Sequence, residues 1–120
     1  MIEVMAESQG NVIGVRISGK ITTREYEDTI IPRVEAVLKE HAKVRFMYVL
    51  DGGFQGAEAG AMWDDTKLGL KHRHDFEKVA MVGGARWMEW LTKLCATFIS
   101  GEIKTFPLEQ LQEAWVWLKS

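Results

Sequence analysis

"VRFMYVLD", Val44 to Asp51, is an almost continuous apolar run that ends on a carboxylate. A strand wetted on one side alternates apolar and polar residues. A run without that alternation predicts a central strand covered on both faces. Upstream, the pattern changes. "MIEVMAES" sets Ile2, Val4 and Ala6 against Glu3, Met5 and Glu7, and "VIGVRISGKI" sets Ile13, Val15, Ile17 and Ile21 against Arg16, Ser18 and Lys20. Gly10-Asn11 reads as the turn between them, so the two segments predict an N-terminal β-hairpin.

Between the hairpin and the central strand, Thr22 and Glu25 have the spacing of a capping box. Tyr26, Ile30, Val34, Val37 and Leu38 then recur at helical spacing as far as His41. Pro32 lies inside this pattern and removes a backbone donor, which predicts a kink or a split. Beyond Asp51, "DGGFQG" reads as a loop and "AEAGAMWDDTKLGLKH" as a helix with Met62, Trp63, Leu68 and Leu70 apolar. "FEKVAMV" is another short buried strand, stopped at Gly83-Gly84. A helix follows over Ala85 to Ser100, and then "GEIKTF", which alternates like an edge strand. Pro107 suits the first turn of a last helix carrying Leu108, Leu111, Trp115 and Leu118. The order β-β-α-β-α-β-α-β-α predicts an α/β fold: a mostly parallel sheet with an N-terminal β-hairpin, about four helices and right-handed crossovers.

Composition narrows the function classes. With 120 residues, one domain over residues 1–120 is expected. The 47% of apolar and 27% of charged residues argue against disorder and for a core. The net charge is −2 with no basic run, so no nucleic-acid partner is expected. The N-terminus does not read as a signal peptide, and no apolar run is long enough to span a bilayer. Cys95 is the single cysteine, which excludes an internal disulfide and points to the cytoplasm.

The segments "MIEV", "VRISGKIT", "IIPRVEAVL", "GAMWDDTKLGLKH" and "FEKVAMV" resemble small bacterial SpoIIAA-like proteins of unknown function, over nearly the whole chain. The resemblance implies the fold of STAS domains, whose core also appears in CRAL-TRIO lipid carriers. STAS anti-sigma-factor antagonists carry a phosphorylated serine at the start of the helix after the central strand. Here Glu58 and Ala59 fill the corresponding serine positions, Gly60 matches the element's glycine, and no Ser or Thr occurs from Asp51 to Asp65. The family's phosphoswitch is therefore not expected. CRAL-TRIO proteins enclose an apolar ligand behind helices that swing open.

"ARWMEWLTKLCATFIS", Ala85 to Ser100, meets that last implication independently. Its apolar side chains, among them Trp87, Met88, Trp90, Leu91, Leu94, Cys95, Phe98 and Ile99, fill an arc of roughly 180°, where a helix on a sheet needs about 100°. The surplus must meet another helix, a partner chain, a ligand or a lipid surface. An ordinary core or a homodimer contact is the plainer alternative. The preceding helix sets Met62 and Trp63 among Gly56, Ala57, Ala59, Gly60 and Ala61. Such small residues suit either a weakly anchored lid or a tight contact.

The resulting expectation is a non-catalytic binding protein. It holds an apolar small molecule, or docks on a membrane surface at the cytoplasmic face, through mobile amphipathic helices. The candidate binding residues are Met62, Trp63, Trp87, Trp90, Leu91, Leu94, Phe98 and Ile99. One alternative is a STAS-like protein-interaction module using the surface near Glu58 to Trp63. Another is an enzyme on an apolar substrate using Asp64, Asp65, His72 or His74. No cofactor is expected. No metal is expected either: His72 and His74 cannot share a helical face, and neither H-x-x-x-H nor C-x-x-C occurs. Cys95 reads as a packing residue.

Overall fold

The computed structural model describes residues 1–83 and 100–120. Five strands form one sheet in the order β1-β2-β3-β4-β5: Ile2–Val4, Val12–Ile21, Val44–Ala57, Phe76–Gly83 and Glu102–Phe106. β1 pairs antiparallel with β2, and the other three pairings are parallel. The hairpin and the mostly parallel sheet are as the patterning requires. The helices are α1 (Thr23–Glu25), α2 (Ile31–Glu40), α3 (Ala59–Lys71) and α4 (Leu111–Lys119). The helix expected over 85–100 lies outside the described residues.

The central run is covered on both sides. Phe46 and Leu50 face one cluster with Ile13, Ile17, Ile30, Val34 and Leu68, under α2 and α3. Met47 and Val49 face the other, with Val82, Ala114, Trp115 and Leu118, under α4. The same two-sided cover corrects the reading of the first strand. That strand ends at Val4, and Met5, expected on a polar face, is buried beneath α4, while Ala6 is exposed. The hairpin connection is also longer than a two-residue turn. Ser8 donates back to Met5 at 3.1 Å, and Gln9 and Val12 exchange a pair of backbone bonds at 3.0 Å.

The expected loop "DGGFQG" is a strand. β3 continues to Ala57, where Lys20 pairs with Gly56 and Ile21 with Ala57, after register shifts around Gly19. Gly19 and Gly56 have φ of 64° and 106°, a region that side-chain-bearing residues rarely enter. The glycines here mark an irregular ladder rather than the end of a strand.

The helical segment after β2 splits where Pro32 requires it. A π-helical turn, Tyr26–Ile30, separates α1 from α2, and Ile31 N–H reaches five residues back to Tyr26 C=O. Pro32 then sits in the first turn of α2, where its missing N–H costs nothing. The cap is also formed: Glu25 N–H donates to Thr22 Oγ1 at 3.1 Å.

Two cations clasp the end of α4. Arg45 and Lys78 are neighbours across β3 and β4. Arg45 donates to Leu118 C=O at 2.9 Å, and Lys78 donates to Trp117 C=O at 3.0 Å. Carbonyls in the last turn of a helix lack the usual donor four residues on, Trp117 C=O here also accepting from Ser120 N–H at 3.3 Å, and positive charge there matches the helix dipole.

Candidate functional site

α3 presents two different faces. Its inward stripe runs Ala61, Asp64, Leu68 and, just past its end, His72, all buried, with Asp65 half-buried beside them. A stripe that carries two carboxylates and an imidazole must satisfy them internally.

Asp65 is held by two phenols. Tyr26 OH, from the π turn, and Tyr48 OH, from β3, both donate to Asp65 Oδ1, the second at 2.8 Å. Tyr26 is 3% exposed, so this hydroxyl has no recourse to water. Burial is the main influence on both groups. It pushes the Asp65 carboxyl up from its ordinary range against the lowering effect of the two hydrogen bonds, and it raises the Tyr26 phenol well above its own.

His72 is held by two carboxylates. Its Nδ1 lies 2.8 Å from Asp75 Oδ2 and its Nε2 lies 3.2 Å from Glu35 Oε1 on α2. Both ring nitrogens donate at once only in the imidazolium form. Lys71 adds a contact to the same Glu35 oxygen at 3.1 Å. The hydrogen bonds from His72 and Lys71 keep the Glu35 carboxyl below its usual range.

Asp64 is the least satisfied member. Its Oδ1 is 3.5 Å from Lys67 Nζ, and its buried Oδ2 has no hydrogen-bond partner. The adjoining exposed Glu27 carboxyl is raised chiefly by the neighbouring Asp64 carboxyl. Among the described residues, no group of three or more His, Cys, Asp or Glu side chains is arranged to hold a metal ion.

The N-terminal end of α3 is pinned, which is the tight-contact alternative for its small residues. Glu58 N–H donates to Ile21 C=O at 2.8 Å, and Glu58 Oε1 accepts from Thr23 N–H at 2.7 Å. A Cβ on Gly60 would lie 2.3 Å from Thr23 Oγ1. The glycine is there because α1 and α3 touch. Glu58 therefore has a structural partner of its own.

The outward face of α3 is different. Trp63 is 62% exposed and Leu70, two turns on, is 44% exposed; Met62 is half-buried. Lys67 stands 6.0 Å from the centre of the Trp63 ring. Of the residues expected to bind a ligand, Met62 and Trp63 are on α3. Trp87, Trp90, Leu91, Leu94, Phe98 and Ile99 lie outside the described residues.

Of the residues expected for an enzyme, Asp65 and His72 do share the inward side, but they serve separate clusters. His74 is exposed, with Nδ1 3.3 Å from Ser100 Oγ. The sequence reading missed Tyr26, Tyr48, Glu35 and Asp75 as polar partners. Polar residues recurring with Ala61 and Leu68 at helical spacing were the available signal.

The SpoIIAA-like family model matches residues 12–119. No curated protein matches the chain. Among solved structures, the chain is similar to an uncharacterized protein of the DUF3478 family with a SpoIIAA-like fold, from Shewanella loihica PV-4. The two are 30% identical with a TM-score of 0.74, over 98% of this chain and 93% of that one. A family match over residues 12–119 and a neighbour with a SpoIIAA-like fold lead to one conclusion: the chain belongs to the SpoIIAA-like family.

Proposed function

We propose that this protein is a non-catalytic binding protein that takes an apolar small molecule, or docks on a membrane surface, through the outer face of α3 and the stretch from Trp87 to Ile99. The observation that carries the reading is the exposure of Trp63, with Leu70 on the same side of a helix whose other side is packed on the core. A tryptophan suits the boundary between apolar and wet surroundings. Lys67 and Lys71, on the same helix, suit an anionic headgroup or carboxylate near it. A binding role also fits the inward side chains, since Asp65 and His72 are each held between partners of the protein itself. Among the described residues no helix is long and apolar enough to cross a membrane. The proposed contact is peripheral.

Co-sedimentation with anionic phosphatidylglycerol vesicles, alongside binding of a fluorescent fatty acid, tests the proposal. Trp63→Ala should leave the unfolding midpoint nearly unchanged, because the side chain is mostly in water already. It should weaken one of the two binding signals by about ten-fold, the equivalent of burying about 55 Å² of apolar surface. A parent protein that binds neither probe would sink the reading. The STAS-like alternative, a protein-interaction module without the phosphoserine switch, draws on the same exposed Trp63 next to Glu58. It predicts loss of a protein partner with Trp63→Ala and no effect on lipid.

A further inference from the structure

β5 ends the sheet, and among the described residues no strand pairs with its outer side. Glu102, Lys104 and Thr105 are exposed and Ile103 is half-buried. Such an edge offers unpaired backbone donors and acceptors to another strand. We infer that the outer edge of β5 is the contact surface of a homodimer, in which two copies of β5 pair antiparallel about a two-fold axis at Ile103 and join the two sheets into one.

The order of charges along the strand selects that occupant and that register. In a continuous antiparallel sheet, residues directly opposite each other share a face, so a symmetric pairing must centre on a residue. Centring on Ile103 sets Glu102 of each copy opposite Lys104 of the other, which gives two cross-strand ion pairs. Centring on Glu102 or on Lys104 sets like charges against each other at the axis, which is unfavourable. Pro107 follows the strand directly and cannot donate to a ladder, so registers shifted further toward it are shortened. "EIK" is thus complementary to a second copy of itself read in reverse.

The surface beside the edge fits the same partner. Lys104 and Phe106 lie on the α4 side, where they border an open groove of about 420 Å³ with Glu113, Val116 and Trp117. Val116 is 69% exposed, the most exposed large apolar side chain described. Lys104 Nζ stands 5.6 Å from the Phe106 ring centre and 5.8 Å from that of Trp117. Among the described residues it has no ion-pair partner. A two-fold axis through Ile103 brings both grooves to the same side of the joined sheet. It draws the exposed Val116 of each copy toward the contact, adding apolar burial to the strand pairing.

Sedimentation equilibrium on the full chain and three variants decides the matter. The parent should be a dimer. Glu102→Lys and Lys104→Glu should each raise the dissociation constant by about ten-fold or more, since each turns two attractive cross-strand pairs into repulsive ones. The double exchange, Glu102→Lys with Lys104→Glu, should return the constant to near the parent value, because the same register again pairs opposite charges. A merely structural disturbance at the edge would not be rescued this way. A parent that stays monomeric at its highest soluble concentration would overturn the assignment. So would a dimer indifferent to both single reversals, or single defects that add in the double variant.

Discussion

The two faces of the sheet are closed by different means. Beneath α4 the contact is apolar: Met5, Val12, Met47, Val49, Ala80, Val82 and Phe106 meet Ala114, Trp115 and Leu118. Two of its charges, Arg45 and Lys78, stand at the rim on the helix end. Beneath α2 and α3 the apolar cluster shares its space with Asp64, Asp65, Tyr26 and His72. The first arrangement stabilises with few conditions. The second depends on every polar group keeping its partner, because a buried polar group that loses one costs more than a neutral hydrogen bond contributes. Apolar burial supplies stability here, and the polar seam fixes how α2 and α3 sit relative to the sheet.

The largest expected effect is on the apolar face. Trp115→Ala should destabilise by about 3–5 kcal/mol, measured by urea unfolding. Trp115→Phe should cost clearly less, since it keeps most of the ring and also removes an indole N–H that has no partner. Equal losses from the two variants would mean that the face is not governed by volume.

On the polar face the decisive pair is Asp65→Ala and Asp65→Asn. The alanine leaves the buried Tyr26 hydroxyl without its acceptor and should cost about 2 kcal/mol. The asparagine keeps an acceptor oxygen and loses a buried charge, so its stability at neutral pH should match or exceed that of the parent. An asparagine variant as unstable as the alanine one would show that the charge itself holds the seam.

A smaller contrast appears on acidification. Asp65 has its folded-state pKa raised by burial, so the folded protein takes up this proton before the unfolded chain does. Its contribution to stability therefore rises as pH falls through the folded pKa. Glu35 is lowered, by His72 first. Its contribution is present above the ordinary carboxylate range and is lost as pH falls through its folded pKa. The parent should gain on Asp65→Asn as the solution enters the carboxylate range from above, before both lose stability together. Parallel curves of unfolding midpoint against pH would contradict this assignment.

The smallest effect separates two glycines of one helix. At Gly69 an added Cβ meets nothing within 4 Å, so Gly69→Ala should stabilise by up to about 1 kcal/mol through helix propensity. Gly60→Ala brings the same propensity gain but places Cβ against Thr23, so its net effect should be a loss. A matching thermal shift for the two would refute the tight α1–α3 contact.

Local chemistry was legible in advance. Thr22 caps its helix because the acceptor and the orphan N–H are three residues apart, and Pro32 splits the helix because its own ring removes the donor. The two-sided cover of Phe46 to Leu50 followed from the lack of alternation, and β5 at the sheet edge from its presence. Glycine content misled at Gly52-Gly53, where partner β2 extends the ladder to Ala57. Met62 and Trp63 could be nominated from composition. That Trp63 is exposed while Asp65 is turned toward two phenols could not, since both sit on the same helix within two residues.

The sequence by itself determined the order of the described strands, the hairpin, the Thr22 cap and the edge character of "EIKTF", because each depends on residues a few positions apart. Only the tertiary structure decided that Tyr26, Tyr48 and Asp65 share one oxygen, that Glu35 and Asp75 flank His72, and that Gly60 lies against Thr23. These partners come from different elements, most of them more than fifteen residues apart in the chain. No periodicity records which of many polar residues will meet once the helices are laid on the sheet; burial makes that choice, because a polar group denied water must take whichever partner the packing brings within reach.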